Sequence, residues 1–145
     1  MAHVRNQLLH WLKGTLTAAA GAVPITVRRV TPFPESMTGA IDIAISGEQS
    51  QDLTIKGAQQ RIVRVRALVA ARGDSEQSQD RLDELCTIVE TTIAGDPSFG
   101  GLARQYEYRA TEFVFSGNGD QPMSVAAMSF DVTVLTRREN PQAVA

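Results

Sequence analysis

Two hydrophobic periods divide the chain. Over residues 3–20, Val4, Leu8, Trp11, Leu12, Leu16 and Ala19 recur every three or four positions. That spacing gathers apolar side chains into one stripe of an amphipathic helix. Gly21 and then Pro24 end it, since proline cannot continue a helix. Gly14 weakens the same helix by about 1 kcal/mol relative to alanine. Residues 74–95 predict a second helix, with Leu82, Leu85, Cys86, Val89 and Ile93 as its stripe. Asp74 and Gln77 stand at capping-box spacing, and acidic residues crowd the first half, where the helix dipole favours them.

The remaining segments show period two. Residues 24–30 are rich in β-branched side chains and predict a strand, followed by a proline-broken loop over 31–39. In 40–46, Ile41, Ile43 and Ile45 face one way and Asp42, Ala44 and Ser46 the other. A polar stretch over 47–57 reads as a long loop. In 59–71, Val63, Val65, Ala67 and Val69 share a face opposite Ile62, Arg64, Arg66 and Leu68. Residues 104–116 put Tyr106 and Tyr108 on one face and Phe113 and Phe115 on the other. Residues 124–136 point Met128, Phe130, Val132 and Val134 inward and Ser129, Asp131 and Thr133 outward. Residues 117–120 are a turn signal, and 136–145 read as a polar, frayed tail. The order α-β-β-β-α-β-β predicts an α+β domain over residues 1–145. Its core is a single, mostly antiparallel sheet of about five strands with both helices on one face.

The stretch Gly95–Gly101, GDPSFGG, raises the question of a phosphate-binding loop. Such a loop runs strand, glycines, helix N-terminus, where free N–H groups meet the anion. Here the order is reversed: a helix comes first and a strand comes after. The stretch is therefore predicted to be a turn, with Gly95 at the left-handed position after the helix and Phe99 as a plug on the core.

Composition narrows the function classes. The chain has 145 residues, 43% hydrophobic and 21% charged, with a net charge of -2, the profile of a globular domain large enough to bury a core. The weak acidity is a poor footprint for tight nucleic-acid binding. One cysteine, Cys86, allows no internal disulfide or cysteine-based zinc site, and its place on an apolar stripe reads as core packing. No apolar run reaches the ~18 residues of a membrane span. The N-terminus lacks a secretory-signal pattern, so a reducing cytoplasm is expected. His3 and His10 lack the spacing of a helical metal pair. No catalytic set, metal cluster or nucleotide fingerprint emerges, and the expectation is a non-enzymatic protein without cofactor or metal. Twelve arginines stand against two lysines. Arginine suits interfacial pairing with carboxylates, and the outer sheet face mixes it with apolar residues, as interfaces do. A homo-oligomer is expected, with Arg64, Arg66, Asp42 and Asp131 at the subunit interface.

Several stretches, in order, resemble the tail terminator proteins of long-tailed bacteriophages. They are VRNQLLHWL at the first helix, VRRVTPFPE at the first strand, RIVRVRALVAARGD, RLDELCTIVETTIAGDPSFGGL, GNGDQPM and FDVTVLTRRENP. The exit from Asp96 to Leu102 is the closest match, and AIDIAIS departs from the more aromatic run expected there. The resemblance implies a structural virion protein at the neck end of the tail, assembled in the host cytoplasm. It implies a hexameric ring that caps the tail tube protein, stops tube polymerisation and presents a surface to a head-completion or neck protein. DNA would pass through the bore without specific binding, past exposed Asp and Glu. Tube contact is expected from Glu48, Asp52 and Lys56 in the 47–57 loop, and from Asn118 and Asp120 in the later turn. The alternatives are a head-completion or connector adaptor of the neck and a stand-alone, dimeric small-molecule-binding domain.

Overall fold

The computed structural model describes residues 2–29, 37–54, 57–73, 75–116 and 123–145. Helix α1 spans Val4–Ala20 and α2 spans Ser75–Gly95. The strands are β1 (Ile25–Val27), β2 (Gly39–Asp52), β3 (Ala58–Arg72), β4 (Gln105–Ser116), β5 (Met123–Arg137) and β6 (Asn140–Val144). They form one six-stranded sheet in the order β1-β2-β3-β5-β4, with β6 also on β5. β1 runs parallel to β2 and every other pairing is antiparallel. The predicted α+β class, its mostly antiparallel sheet and its element order are all observed, with β6 as an added strand.

The core lies between one sheet face and both helices. Val63, Val65, Ala67 and Val69 on β3 and Met128, Phe130, Val132 and Val134 on β5 are buried against Leu8, Leu12 and Leu16 of α1 and Leu85, Val89 and Ile93 of α2. Each such large aliphatic side chain contributes about 1.5–3 kcal/mol by leaving water. The stripes were legible with two adjustments. Leu9 is buried, and Ala19, in the last turn of α1, is exposed.

Four expectations change. First, 47–57 is not a long loop. β2 continues to Asp52 and β3 begins at Ala58, pairing Asp52 with Gln59. A register shift between Ile45 and Gly47 inserts Ser46 as an extra residue, which breaks the alternation and hides the strand from a period-two reading. Second, residues 140–144 are not a frayed tail. β6 pairs Thr136 with Val144 on the edge of β5 that β4 leaves open beyond Thr133. Third, a register shift between Tyr108 and Ala110 makes Arg109 the extra residue of β4. Tyr106 and Tyr108 then oppose Val132 and Phe130, while Phe113 and Phe115 oppose Ala126 and Ser124. All four aromatics therefore share the helix-side face, because one inserted residue inverts the parity of everything after it. Fourth, Gly95 ends α2 without a positive φ. The left-handed residues of this turn are Phe99, Gly100 and Gly101.

Candidate functional site

The GDPSFGG stretch is a packed structural turn. Asp96 accepts hydrogen bonds from the Ser98 hydroxyl (2.5 Å), the Ser98 N–H (3.2 Å) and the Gly100 N–H (3.1 Å). The Ser98 hydroxyl, followed by the two backbone N–H groups, holds the Asp96 carboxyl below its ordinary range. Phe99 is fully buried, with its ring 4.9 Å from Trp11 and 6.3 Å from Tyr106. The plug expected of it is present. These N–H groups are bonded within the loop, so its polar atoms serve the turn.

The open sheet face carries a ladder of charges. The Arg64 guanidinium donates two bonds to Asp131, at 2.9 and 3.2 Å, and this pairing raises the Arg64 pKa. Asp131 stands directly opposite Glu107 on β4, a like-charge pair that destabilises a sheet when unrelieved. Arg109 relieves it, reaching Glu107 at 2.9 Å and Asp131 at 3.5 Å. The bulge therefore inserts a cation between two opposed carboxylates. Arg64 and Asp131, both expected at the subunit interface, pair with each other within the chain. Arg66, opposite Ser129, keeps a buried Nε without a hydrogen-bond partner.

Asp42, the other carboxylate expected at the subunit interface, is also bonded within the chain. It is 4% exposed and accepts from the Thr26 hydroxyl (2.6 Å) and the Arg29 N–H (3.0 Å). Its carboxylate ties β1 and the residues after it to β2. Alternation gave its face correctly, but no local signal announced a partner sixteen residues earlier.

Glu48, expected in the tube-contact loop, lies within β2. The Ser46 bulge turns it to the helix side, opposite Val63. There it accepts from Arg5 of α1 (3.2 Å) and Arg61 of β3 (3.1 Å), with 14% of its side chain exposed. Arg61 also donates to the Thr136 hydroxyl at 2.9 Å. His3 caps α1 by accepting from the Arg5 N–H at 3.2 Å, and burial and the nearby Arg5 and Arg61 lower its pKa. This cluster clamps α1 to the β2–β3 hairpin. Asp52 does stand at the exposed hairpin tip, 3.6 Å from Arg138. Lys56, Asn118 and Asp120 lie outside the described residues.

The surface that sequence reasoning missed lies on β4. Phe113, Val114 and Phe115 are 66%, 62% and 52% exposed. Among the described residues β4 pairs only with β5, so its outer backbone edge is unpaired. Phe113, Val114 and Phe115 line a groove of about 300 Å³ with Leu82 and Asp83 of α2 and Val125 of β5. Three consecutive exposed apolar residues on an edge strand are a liability for a lone subunit. The signal was present in EFVFS, but the parity error sent one aromatic pair to the wrong face. Elsewhere on β4, Tyr108 stacks on Phe130 with ring centroids 4.8 Å apart. Burial, then the Glu90 and Cys86 charges, raise the Tyr108 pKa. Cys86 is half-buried, and desolvation aided by Asp83 and Glu90 pushes its thiol up to about 11, unsuited to nucleophilic work.

Among the described residues no group of three or more His, Cys, Asp or Glu side chains could hold a metal ion, and no helix is long and apolar enough to cross a membrane. No protein-family model and no curated protein matches the chain. Among solved structures, a chain of the "Virion of native gene transfer agent (GTA) particle" is 14% identical with a TM-score of 0.46, over 92% of each chain. A second solved structure, whose name states no function, is 16% identical with a TM-score of 0.40, over 89% of this chain and 92% of that one. Both are distant likenesses.

Proposed function

We propose that this protein is a structural subunit of a phage-like particle, a tail terminator that assembles as a homomeric ring at the neck end of a tail tube. The observation that carries the reading is the β4 edge. It combines a strand edge unpaired among the described residues with Phe113, Val114 and Phe115, each more than half exposed. Surface of that kind is a liability for a lone subunit and a mark of a protein interaction site. The resemblance of the successive sequence stretches to tail terminators supplies the class of assembly. Hexameric closure, the capping of the tube, contact with a neck protein and a bore that passes DNA are parts of this proposal. An acidic bore suits that passage, since phosphate attraction is what makes nucleic-acid binding strong.

A head-completion adaptor would share the ring and differ in the ring it meets. Tube-end capture separates the two. Purified protein is mixed with tail tubes and with portal rings, and bound protein is imaged. Capture at tube ends with arrest of further growth is expected. Capture by portal rings alone would move the assignment to the adaptor.

A further inference from the structure

The two flanks of the sheet carry opposite charge. Residues 2–29, which build α1 and β1, hold four cationic side chains (Arg5, Lys13, Arg28 and Arg29) and no carboxylate. Residues 76–116, which build α2, the turn after it and β4, hold eight carboxylates against three arginines. β1 and β4 are the two ends of the strand order; α2 packs over β3 and β5 between them and reaches the β4 end through Leu82 and Asp83. Arg5 is engaged inside the chain with Glu48. Lys13 and Arg28 are exposed. Arg28 donates to Asn6, which identifies the face of α1 that looks toward the β1 edge. Lys13 stands seven residues beyond Asn6, close to two helical turns, and so lies on that same face. On the opposite flank, the Phe113–Phe115 groove is bordered by Asp83, and Glu112, exposed on the same edge strand, faces the open side of the sheet.

We infer that the acidic α2–β4 flank of one copy receives the cationic α1–β1 flank of a second copy. Phe113, Val114 and Phe115 form the apolar centre of the contact, and Asp83 and Glu112 oppose Lys13 and Arg28. The contact is head to tail: each copy uses one flank and leaves the other for the next, the arrangement that generates rings. A two-fold contact between like flanks would set carboxylates against carboxylates, which opposes docking. This inference rests on the ring reading and names the surfaces that close the ring.

The test uses two surface variants. One carries Asp83→Lys and Glu112→Lys, the other Lys13→Glu and Arg28→Glu, and circular dichroism verifies that each is folded. Native mass and light scattering then measure assembly. Each variant alone should need at least tenfold more protein than wild type to assemble. A one-to-one mixture should restore assembly, because each reversed flank finds a reversed partner. A chain carrying all four changes should assemble by itself. If both variants assemble like wild type, the flanks are wrong while the ring stands. If the mixture of folded variants stays dissociated, the head-to-tail pairing of these flanks is overturned. If the Asp83/Glu112 variant assembles normally but loses tube binding, the acidic flank serves a basic partner and the inference also falls. A wild type that is monomeric at every concentration and on tube ends would overturn the ring reading together with the inference.

Discussion

Gly100→Ala and Gly101→Ala form a matched pair that measures how tightly the 96–101 turn is locked onto α1. Both glycines hold left-handed backbone, with φ of 69° and 88°. Placing alanine in that region costs roughly 1–2 kcal/mol at either site. Their surroundings differ. A Cβ at Gly101 meets nothing within 4 Å, whereas one at Gly100 would stand 2.7 Å from Cδ1 and 2.9 Å from Nε1 of Trp11. Those atoms belong to a rigid ring packed 4.9 Å from the buried Phe99, so the indole cannot yield without disturbing the plug. Overpacking of this kind adds roughly 1–3 kcal/mol. Gly101→Ala is therefore expected to cost roughly 1–2 kcal/mol and Gly100→Ala roughly 2–5 kcal/mol. For a chain of this length 1 kcal/mol corresponds to a Tm change of roughly 3 °C. Urea unfolding monitored by tryptophan fluorescence reports directly, because Trp11 is the only tryptophan. Equal losses for the two variants would refute the claim that the turn is seated against the indole.

The same contacts make other changes predictable. Phe99→Ala should cost about 3–5 kcal/mol, the range for an emptied aromatic site, and a loss under about 1 kcal/mol by urea unfolding would deny its place in the core. Asp96 has a folded pKa below its ordinary 3.8, so it contributes stability above that pH and loses it as pH falls through the lower folded value. The gap in Tm between wild type and Asp96→Ala should thus be constant above about pH 5 and close below about pH 4; a gap that widens on acidification would contradict this sign. Arg109→Ala should leave Glu107 facing Asp131 and cost up to about 1 kcal/mol at low salt, shrinking in concentrated salt. A salt-independent loss would assign Arg109 a packing role instead. Cys86, with its thiol pushed up to about 11, should react with iodoacetamide at about pH 8 far more slowly than a free cysteine, and equal rates would place the thiol in solvent.

Period reading served where each element stayed in phase with one neighbour. The apolar stripes of α1 and α2 and the inward faces of β3 and β5 needed no tertiary information, since burial against one layer imposes a single period. Failures gathered where one residue changed the phase. Ser46 and Arg109 each insert into a strand, and each reverses the faces of the residues after it. Glu48 thereby moved from a loop tip to a clamp on α1, and Phe113 and Phe115 moved to the helix-side groove. Asp42 and the pair Arg64–Asp131 were placed on the correct face, but their partners lie sixteen and sixty-seven residues away in sequence, and local pattern carries no such distance. β6 escaped notice because its residues are mostly polar or small. It forms because β5 outruns β4 and leaves backbone groups to pair.

Ring assembly of this chain with itself is open to direct test. Native mass spectrometry with negative-stain imaging, on dilute and on concentrated protein, is the deciding measurement. Particles of six subunits with an open centre are expected. A dimer with a closed pocket, or a monomer at every concentration that also fails to ring the ends of tail tubes, would contradict ring assembly.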